Sequence, residues 1–162
     1  MKTVAIMAPT FLPWAGYFNM IKNSDIFIFL DDIQYKKRSW QQRNRIIEFS
    51  KNDYQWLTVP VKSKGKYHQK FKDVEIDLEN KNYNNISKII KFNYQSSPYF
   101  KDLFIDIESI LEKKNKFLID LNVALIKKIC NFLKIEKEFV FSSSFNLSSK
   151  KSQLLFDLTK AV

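Results

Sequence analysis

The amino-acid sequence predicts a three-layer α/β domain that combines a mainly parallel sheet with a helical C-terminal half. Two short apolar runs, at residues 3–7 and 26–30, have the length and continuity of buried strands. The second half of the chain instead places its apolar residues at helical spacing. With 162 residues, the chain is long enough to form one domain around a buried core.

The opening of the chain is predicted to be a βαβ unit. After the strand at residues 3–7, Pro9 and Pro13 bracket a loop through which neither a helix nor a strand can continue. A short helix is expected over residues 17–23, ahead of the strand at 26–30. This order implies a parallel pair joined by a right-handed crossover, as in Rossmann-like folds. Ligands in such sheets bind beyond the carboxyl ends of the strands.

The remaining elements follow from apolar periodicity and from proline positions. Further strands are expected at residues 55–61, 74–78 and 138–141. Helices are expected at residues 84–94, 98–113 and 117–133, with another beginning near Lys151. The last helix stops at Val162 with an apolar face still forming. We therefore expect residues 1–162 to be a single domain that is a C-terminally truncated fragment of a longer chain.

Composition favours a cytoplasmic protein with no membrane span. Cys130 is the only cysteine, so no internal disulfide can form, and no charged-then-apolar signal segment opens the chain. The longest apolar runs are far shorter than the roughly 20 residues needed to cross a bilayer. Neither a P-loop nor a glycine-rich dinucleotide fingerprint is present, and one cysteine with one histidine cannot build a structural zinc site. The sequence therefore predicts no metal site and indicates no particular cofactor.

Three clustered arginines stand out from a lysine-rich background. The net charge is +10, but lysine, asparagine, isoleucine and phenylalanine are all abundant, which AT-rich codons can produce without selection for a nucleic-acid partner. The only arginines are Arg38, Arg43 and Arg45. Because arginine offers a rigid planar fork for phosphate or carboxylate, these three are predicted to bind an anionic group. Chance clustering of arginines in surface ion pairs is the alternative.

The proline-rich loop is a second candidate binding segment. A stiffened loop that runs into a helix start leaves backbone N–H groups free to meet an anion. Pro13, Trp14 and Tyr17 are therefore predicted to bind substrate, with Trp14 or Tyr17 stacking on a base or a sugar ring. The alternative is a rigid turn in which Trp14 is simply part of the core.

Three titratable residues are candidates for catalysis. Asp31 and Asp32 follow a strand, where a carboxylate can accept a proton from an amine, bind sugar hydroxyls or hold a metal. Successive side chains of a strand point to opposite faces, so only one of the pair is expected to face the site. Their alternative role is to end the strand and cap a helix. His68, the lone histidine, is a candidate general base or an inert residue of a lysine-rich turn.

The polar segment at residues 34–45 interleaves arginines, amides and aromatic rings. Besides the arginines, Gln34, Trp40 and Asn44 are predicted to bind substrate. The segment could clamp the pyrophosphate of a nucleotide-sugar while Trp40 or Tyr35 packs on a ring. It could equally bind a nucleic-acid backbone or form the solvated face of a basic helix.

Several motifs resemble those of one known family. They are Pro-x-x-Leu-Pro-Trp-x-Gly-Tyr-Phe from Pro9, Ser-Asp-x-Phe-Ile-Phe-Leu-Asp-Asp-Ile-Gln-Tyr from Ser24, Arg-Ser-Trp-Gln-x-Arg-Asn-Arg-Ile from Arg38 and Trp-Leu-Thr-Val-Pro-Val from Trp56. Tyr-Gln-Ser-Ser-Pro-Tyr-Phe at residues 94–100 and the segment 141–144 extend the likeness over most of the chain. In these motifs the chain resembles the WbqC-like family, whose members occur in O-antigen and other surface-glycan gene clusters.

The resemblance implies an enzyme of bacterial surface-polysaccharide biosynthesis that transfers an acyl or aminoacyl group, such as glycine, to an amino sugar. Two departures from the family matter. Ala8 stands where the family usually carries Gln, so a substrate contact made by that Gln would be lost. The family also continues beyond Val162, so a site built from both parts would be incomplete here. The opening is also loosely similar to nucleotidyltransferase-like folds, with residues 13–17 in place of their His-x-Gly-His helix start.

Together these features favour a nucleotide-sugar or another phosphorylated small molecule as the partner. The arginines are expected to hold phosphate, the acidic pair to orient or deprotonate the amine, and the aromatic residues to shape a pocket. Two other classes stay open, a non-enzymatic nucleic-acid-binding protein and a scaffold protein of a glycan-assembly complex. The oligomeric state is left open as well.

Overall fold

The computed structural model describes residues 2–162, which form a parallel sheet, a β-hairpin and five helices. The strands are β1 (Val4–Met7), β2 (Ile26–Phe29), β3 (Arg43–Glu48), β4 (Asp53–Thr58) and β5 (Glu138–Phe141). The helices are α1 (Ala15–Lys22), α2 (Lys81–Tyr94), α3 (Phe100–Glu112), α4 (Leu118–Phe132) and α5 (Lys151–Lys160). Two short 3-10 turns lie at Phe71–Asp73 and Ser142–Phe145.

Strands β1, β2 and β5 form a three-stranded parallel sheet with β2 at its centre. Met7 pairs with Phe29, and Phe29 pairs with Phe141, so the three strands end level with one another. The predicted βαβ opening, the predicted final strand and the mainly parallel sheet are confirmed. The segments that follow the strands leave the sheet at one common edge, which we call the carboxyl edge.

The central strand β2 is covered on both faces. Phe27 and Phe29 pack in a core cluster with residues of α1 and α4. Ile26 and Ile28 point the opposite way and pack in a cluster with Leu158 of α5. Because alternate side chains of a strand face opposite sides, helices on both sides explain why this strand is apolar without interruption.

Strands β3 and β4 form a separate antiparallel hairpin. The strand expected at residues 55–61 is present, but it runs over Asp53–Thr58. Strand β3 was not predicted, and the basic helix face considered for residues 34–45 is absent there. Alternation explains β3, since Ile46 is buried in the core while Arg45 faces solvent opposite Trp56.

The short strand expected at residues 74–78 does not form. This segment makes only isolated bridges, from Ile76 to Val61 and from Glu75 to Phe117. The two bridges go to different partners, so no continuous ladder can develop. The segment instead links the hairpin to the N-terminal end of α4 within the main core.

The four predicted helices of the C-terminal half are confirmed with small changes at their ends. Helix α2 begins at Lys81, three residues earlier than expected, because Asn80 caps it by accepting a hydrogen bond from the Asn82 N–H at 3.0 Å. Helices α2, α3 and α4 pack with the hairpin around the largest core cluster. No helix in the described range is long and apolar enough to span a membrane.

Candidate functional site

A cavity of about 490 Å³ opens between the hairpin, the loop after β1 and the helices α2 and α3. We call residues 8–14 the proline loop. Four residues predicted to bind substrate line this cavity, namely Pro13, Trp14, Asn44 and Arg45. The opposite wall comes from α2, from α3 and from the turn between them. Two distant stretches of the chain therefore build one site, of a size usual for small-molecule pockets.

Trp14 and Tyr17 occupy different environments although both were predicted to bind substrate. Trp14 is half exposed and lines the cavity. Tyr17 is fully buried, and its hydroxyl donates a hydrogen bond to the Ala8 carbonyl at 3.2 Å. Burial also raises the pKa of Tyr17, since the charged form would lose its hydration. The Tyr17 ring meets the Trp14 ring edge-on at 5.8 Å, so it supports Trp14 from within the core.

Asn44 fastens the proline loop to the hairpin. Its side-chain amide donates hydrogen bonds to the carbonyls of Phe11 and Leu12, and its oxygen accepts one from the Arg45 N–H. With the amide group occupied in this way, Asn44 serves to position the cavity wall that carries Trp14. The Phe11 N–H adds a bond to the Trp40 carbonyl, at 2.9 Å.

The outer face of the hairpin carries a group of four residues that we call the arginine–tryptophan cluster: Arg43, Arg45, Trp40 and Trp56. The Cζ atoms of Arg43 and Arg45 lie 4.0 Å and 5.2 Å from the centre of the Trp56 ring. The Trp40 and Trp56 rings lie 5.5 Å apart. Such cation–π contacts are each worth about 0.5–2 kcal/mol. Two like charges are therefore held side by side on one indole.

Neither of these guanidinium groups forms an ion pair with a carboxylate in the part of the chain that the structure describes. The ion pairs found within residues 2–162 are all made by lysines. The Nε atom of Arg43 is buried without a hydrogen-bond partner in the same range. A stacked guanidinium keeps its N–H edge available, so the cluster is suited to accept phosphate or carboxylate in its plane.

The side chain of Gln42 shapes the turn that leads into β3. Gln42 accepts hydrogen bonds from the Tyr35 hydroxyl, at 2.5 Å, and from the Arg38 N–H, at 3.2 Å. Its own amide donates to the Val59 carbonyl at 3.0 Å. Burial raises the pKa of Tyr35 to about 12, so this hydroxyl stays protonated and able to donate. Arg38 itself is exposed and has a φ of 58°, and its guanidinium does not belong to the cluster.

The acidic pair lies at the carboxyl edge and is bound by the residues that follow β5. Asp31 is buried and accepts hydrogen bonds from the Ser142 hydroxyl, at 2.9 Å, and from the N–H and hydroxyl of Ser143, at 2.9 and 2.6 Å. The Ser142 oxygen also lies 2.8 Å from Oδ1 of Asp32. Its single proton can serve only one of the two carboxylates at a time.

These contacts distinguish the two carboxylates. Asp31 joins β2 to the segment after β5, which is a structural function. Asp32 is half exposed and has a single polar contact among the described residues, so it is the one with an oxygen available to a ligand. Neither carboxylate lines the cavity. Of the three arginines only Arg45 lines the cavity together with the proline loop, and the acidic pair lies apart from this shared wall.

Gln34 and His68 lie in a different part of the surface. The Gln34 amide donates to the Tyr67 carbonyl at 3.1 Å, and His68 is exposed in the lysine-rich turn. Neither residue lines the cavity or belongs to the cluster. The structure therefore separates this predicted base from the predicted phosphate-binding residues.

Sequence reasoning missed several residues that complete the site. Trp56 was assigned only to a strand, although its position opposite Arg45 makes it the centre of the cluster. Tyr94, Tyr99 and Leu103 line the cavity, and the Tyr94 hydroxyl accepts a hydrogen bond from the Ile47 N–H at 3.1 Å. The motif at residues 94–100 was the available signal, but its spacing alone gives no partner.

Helix α4 connects the proline loop to the turn before β3 through one side chain. The buried side-chain amide of Asn122 donates to the Pro9 carbonyl at 3.2 Å and to the Gln41 carbonyl at 2.8 Å. A single side chain thus satisfies one buried carbonyl in the proline loop and another in the turn before β3.

Comparison with known proteins agrees with the motifs. Uncharacterized protein Rv1507c of Mycobacterium tuberculosis is 36% identical over 159 residues, which cover 98% of this chain and 68% of that protein. No solved structure matches the chain significantly. The model of the WbqC-like protein family matches residues 8–162. With the proline loop, the acidic pair, the arginine segment and the turn before α3 all inside that match, the chain belongs to the WbqC-like protein family.

Proposed function

We propose that this protein is an acyl or aminoacyl transferase that acts on a nucleotide-linked amino sugar in bacterial surface-polysaccharide (O-antigen) biosynthesis. The observation that carries the proposal is the position of Arg45. It stacks near Trp56 in the arginine–tryptophan cluster and also lines the cavity with Trp14. A cationic surface and an apolar pocket therefore adjoin at Arg45, which supports a transfer between a nucleotide-sugar and a second substrate.

The cluster is the proposed nucleotide-sugar subsite. Arg43 and Arg45 supply two unneutralised charges for a pyrophosphate. Trp40 is half exposed beside Trp56 and offers a ring face to a base or a sugar. Arg38, on the same segment, adds positive charge at the approach to the site.

Asp32 is the proposed acceptor of the amine proton, and Asp31 orients it through Ser142. For this chemistry the sugar must reach from the cluster toward the carboxyl edge. The similarity of the opening βαβ unit to nucleotidyltransferase-like folds supports phosphate binding on this side of the sheet. A cytoplasmic location belongs to the same proposal, because nucleotide-linked sugars are made there.

Titration calorimetry with UDP-linked and dTDP-linked amino sugars tests the proposal. We expect binding that requires both the nucleotide and the amino sugar and that falls at least tenfold in Arg43→Lys, where the stacked planar fork is lost. Lys51→Arg, at an exposed position near the tip of the hairpin, is the matched control and should bind as the unmodified protein does.

Three outcomes would count against this function. Equal affinity of Arg43→Lys and the unmodified protein would remove the cluster from the site. Binding that ignores the identity of the nucleotide and weakens steeply with salt would indicate a nucleic-acid backbone as the ligand instead. If the protein binds no nucleotide-sugar, a scaffold role within a glycan-assembly complex would be favoured instead.

A further inference from the structure

The interior of the cavity is almost entirely apolar. Its deep wall is built from aliphatic and aromatic side chains of β3, α2, α3 and α4, including Ile90, Leu103 and Phe104. Phe104 also stacks on Phe100 at a centroid distance of 4.5 Å, which fixes the ring that lines the cavity. An apolar lining of this kind favours the binding of an apolar group, because its transfer from water lowers the free energy.

Three residues that bring polar groups to the cavity lining, Arg45, Ser97 and Tyr99, are exposed, so these groups lie on its solvent side. Arg45 lies there without a carboxylate partner in the described range, and Asn44 already uses its amide on the proline loop. Helix α3 begins at the same place, since Tyr99 and Phe100 both line the cavity and no side chain caps this end. A cation and the positive end of a helix therefore meet at the opening, which favours an anionic or strongly polar head group.

We propose that this cavity binds the apolar acyl chain of an amphiphilic acyl compound, with its polar head at Arg45. This inference deepens the proposed function, on which it rests for the identity of the site, by making the acyl donor a hydrophobic ester or thioester. In the transfer the acyl carbon forms an amide bond with the sugar amine, and its bond to the donor's oxygen or sulfur breaks. The carrier leaves as an alcohol or thiol with the amine proton, which passes through Asp32. Glycine would leave most of a cavity of about 490 Å³ unfilled. A sugar or nucleobase in the same place would bury polar edges without hydrogen-bond partners, which is unfavourable.

A series of straight-chain carboxylates from hexanoate to dodecanoate is the direct probe. Each added methylene buried in the cavity should raise affinity about fourfold, from the ~0.8 kcal/mol transfer free energy of a CH₂ group. The rise should stop once the cavity is filled. Calorimetry below the critical micelle concentration measures the series. An affinity that does not depend on chain length would overturn the inference.

Two variants on α3 locate the binding site. Leu103→Trp fills the cavity, whereas Ile105→Trp adds the same side chain at an exposed position of the same helix that does not line it. We expect Leu103→Trp to lose decanoate binding by at least tenfold and Ile105→Trp to keep it, with circular dichroism confirming that both fold. Equal effects of the two variants would show that the chain binds elsewhere.

A third variant tests the head group. Arg45→Gln should weaken decanoate but leave decanol unchanged, because only the carboxylate uses the charge. Uridine should not displace decanoate, and displacement would show that the cavity receives a base. If a second copy of the protein occupies the cavity, analytical ultracentrifugation should show a dimer that decanoate dissociates. That result would also overturn the inference.

The test separates this inference from the proposed function. Leu103→Trp should retain the nucleotide-sugar binding that depends on Arg43, because Leu103 lies on α3 and is not part of the arginine–tryptophan cluster. Decanoate binding without nucleotide-sugar binding would remove the proposed function and keep the cavity as an acyl site. Nucleotide-sugar binding without decanoate binding would remove the acyl site and keep the proposed function.

Discussion

The indole of Trp14 lies directly over Gly16. Its Nε1 atom is 2.6 Å from the position that a Cβ atom on residue 16 would occupy, closer than any side chain allows. The glycine is needed here for close approach, not for an unusual backbone angle. The half-exposed Trp14 ring, which lines the cavity, thus packs directly on the backbone of Gly16 in the first turn of α1.

Gly16→Ala should move the Trp14 ring while leaving the fold intact. Alanine favours a helix by about 1 kcal/mol over glycine, which offsets much of the strain at the ring, so we expect a small change in the free energy of unfolding. The indole N–H resonance of Trp14 should shift clearly in a proton–nitrogen NMR spectrum. Lys22→Ala, exposed at the other end of α1, is the control. An unshifted Trp14 resonance would contradict this contact.

Asp31→Asn should destabilise the protein far more than Asp32→Asn. Asp31 is buried and receives two hydrogen bonds from Ser143, and it shares the Ser142 hydroxyl proton with Asp32, which has no other such bond among the described residues. Bonds to a charged group are worth about 1.5–3 kcal/mol each, and some persist with asparagine, so we expect a loss of about 2–4 kcal/mol for Asp31→Asn and below about 1 kcal/mol for Asp32→Asn. Urea denaturation measures both. Similar losses would mean that the two carboxylates share the structural role equally.

Asn44→Asp should loosen the proline loop. The substitution keeps the shape of the side chain but replaces the amide that binds the Phe11 and Leu12 carbonyls with a carboxylate, which repels them. We expect faster hydrogen exchange across residues 8–14 and a loss of about 1–3 kcal/mol in the free energy of unfolding. Asn82→Asp, exposed on α2, is the control for the added charge. Unchanged exchange in the loop would show that the amide is not its main anchor.

Cys130 should react slowly with alkylating reagents in the folded protein. Burial raises the pKa of its thiol to about 11, so at pH 8 the thiolate fraction is lower by about two orders of magnitude than in an unfolded chain. Because the folded pKa is raised, the associated stability is present below the unfolded pKa and is lost as the pH rises toward the folded one. Mass spectrometry after iodoacetamide treatment, with and without denaturant, checks the difference. Equal rates would place the thiol at the surface.

The sequence contains enough information for the parallel sheet because the signals are local. The continuous apolar run of β2 requires cover on both faces, and the spacing from β1 leaves room only for one short helix. The hairpin is harder to predict from the sequence. In β3 the buried Ile46 lies among arginines, and two buried glutamines, Gln41 and Gln42, precede the strand, so the segment resembles solvated surface.

The candidate site could be predicted only in part, because its walls are far apart in the sequence. Clustering of arginines pointed to Arg43 and Arg45, and the proline loop pointed to Trp14. That Tyr94 would close the same cavity depends on how α2 packs on the hairpin, which no local spacing encodes. The same limit applies to Asp31, whose partners follow β5 more than a hundred positions later.

The amide of Asn122 has a consequence for attempts to shorten or graft this protein. Its two bonds reach Pro9 and Gln41 from a helix that lies 81 or more positions further along the chain. A chain that ends before α2 would keep both loops, with most of the motifs, but would lose the Asn122 hydrogen bonds that hold the loops. Engineers who wish to transplant the recognition surface to another scaffold would need to bring α4 with it.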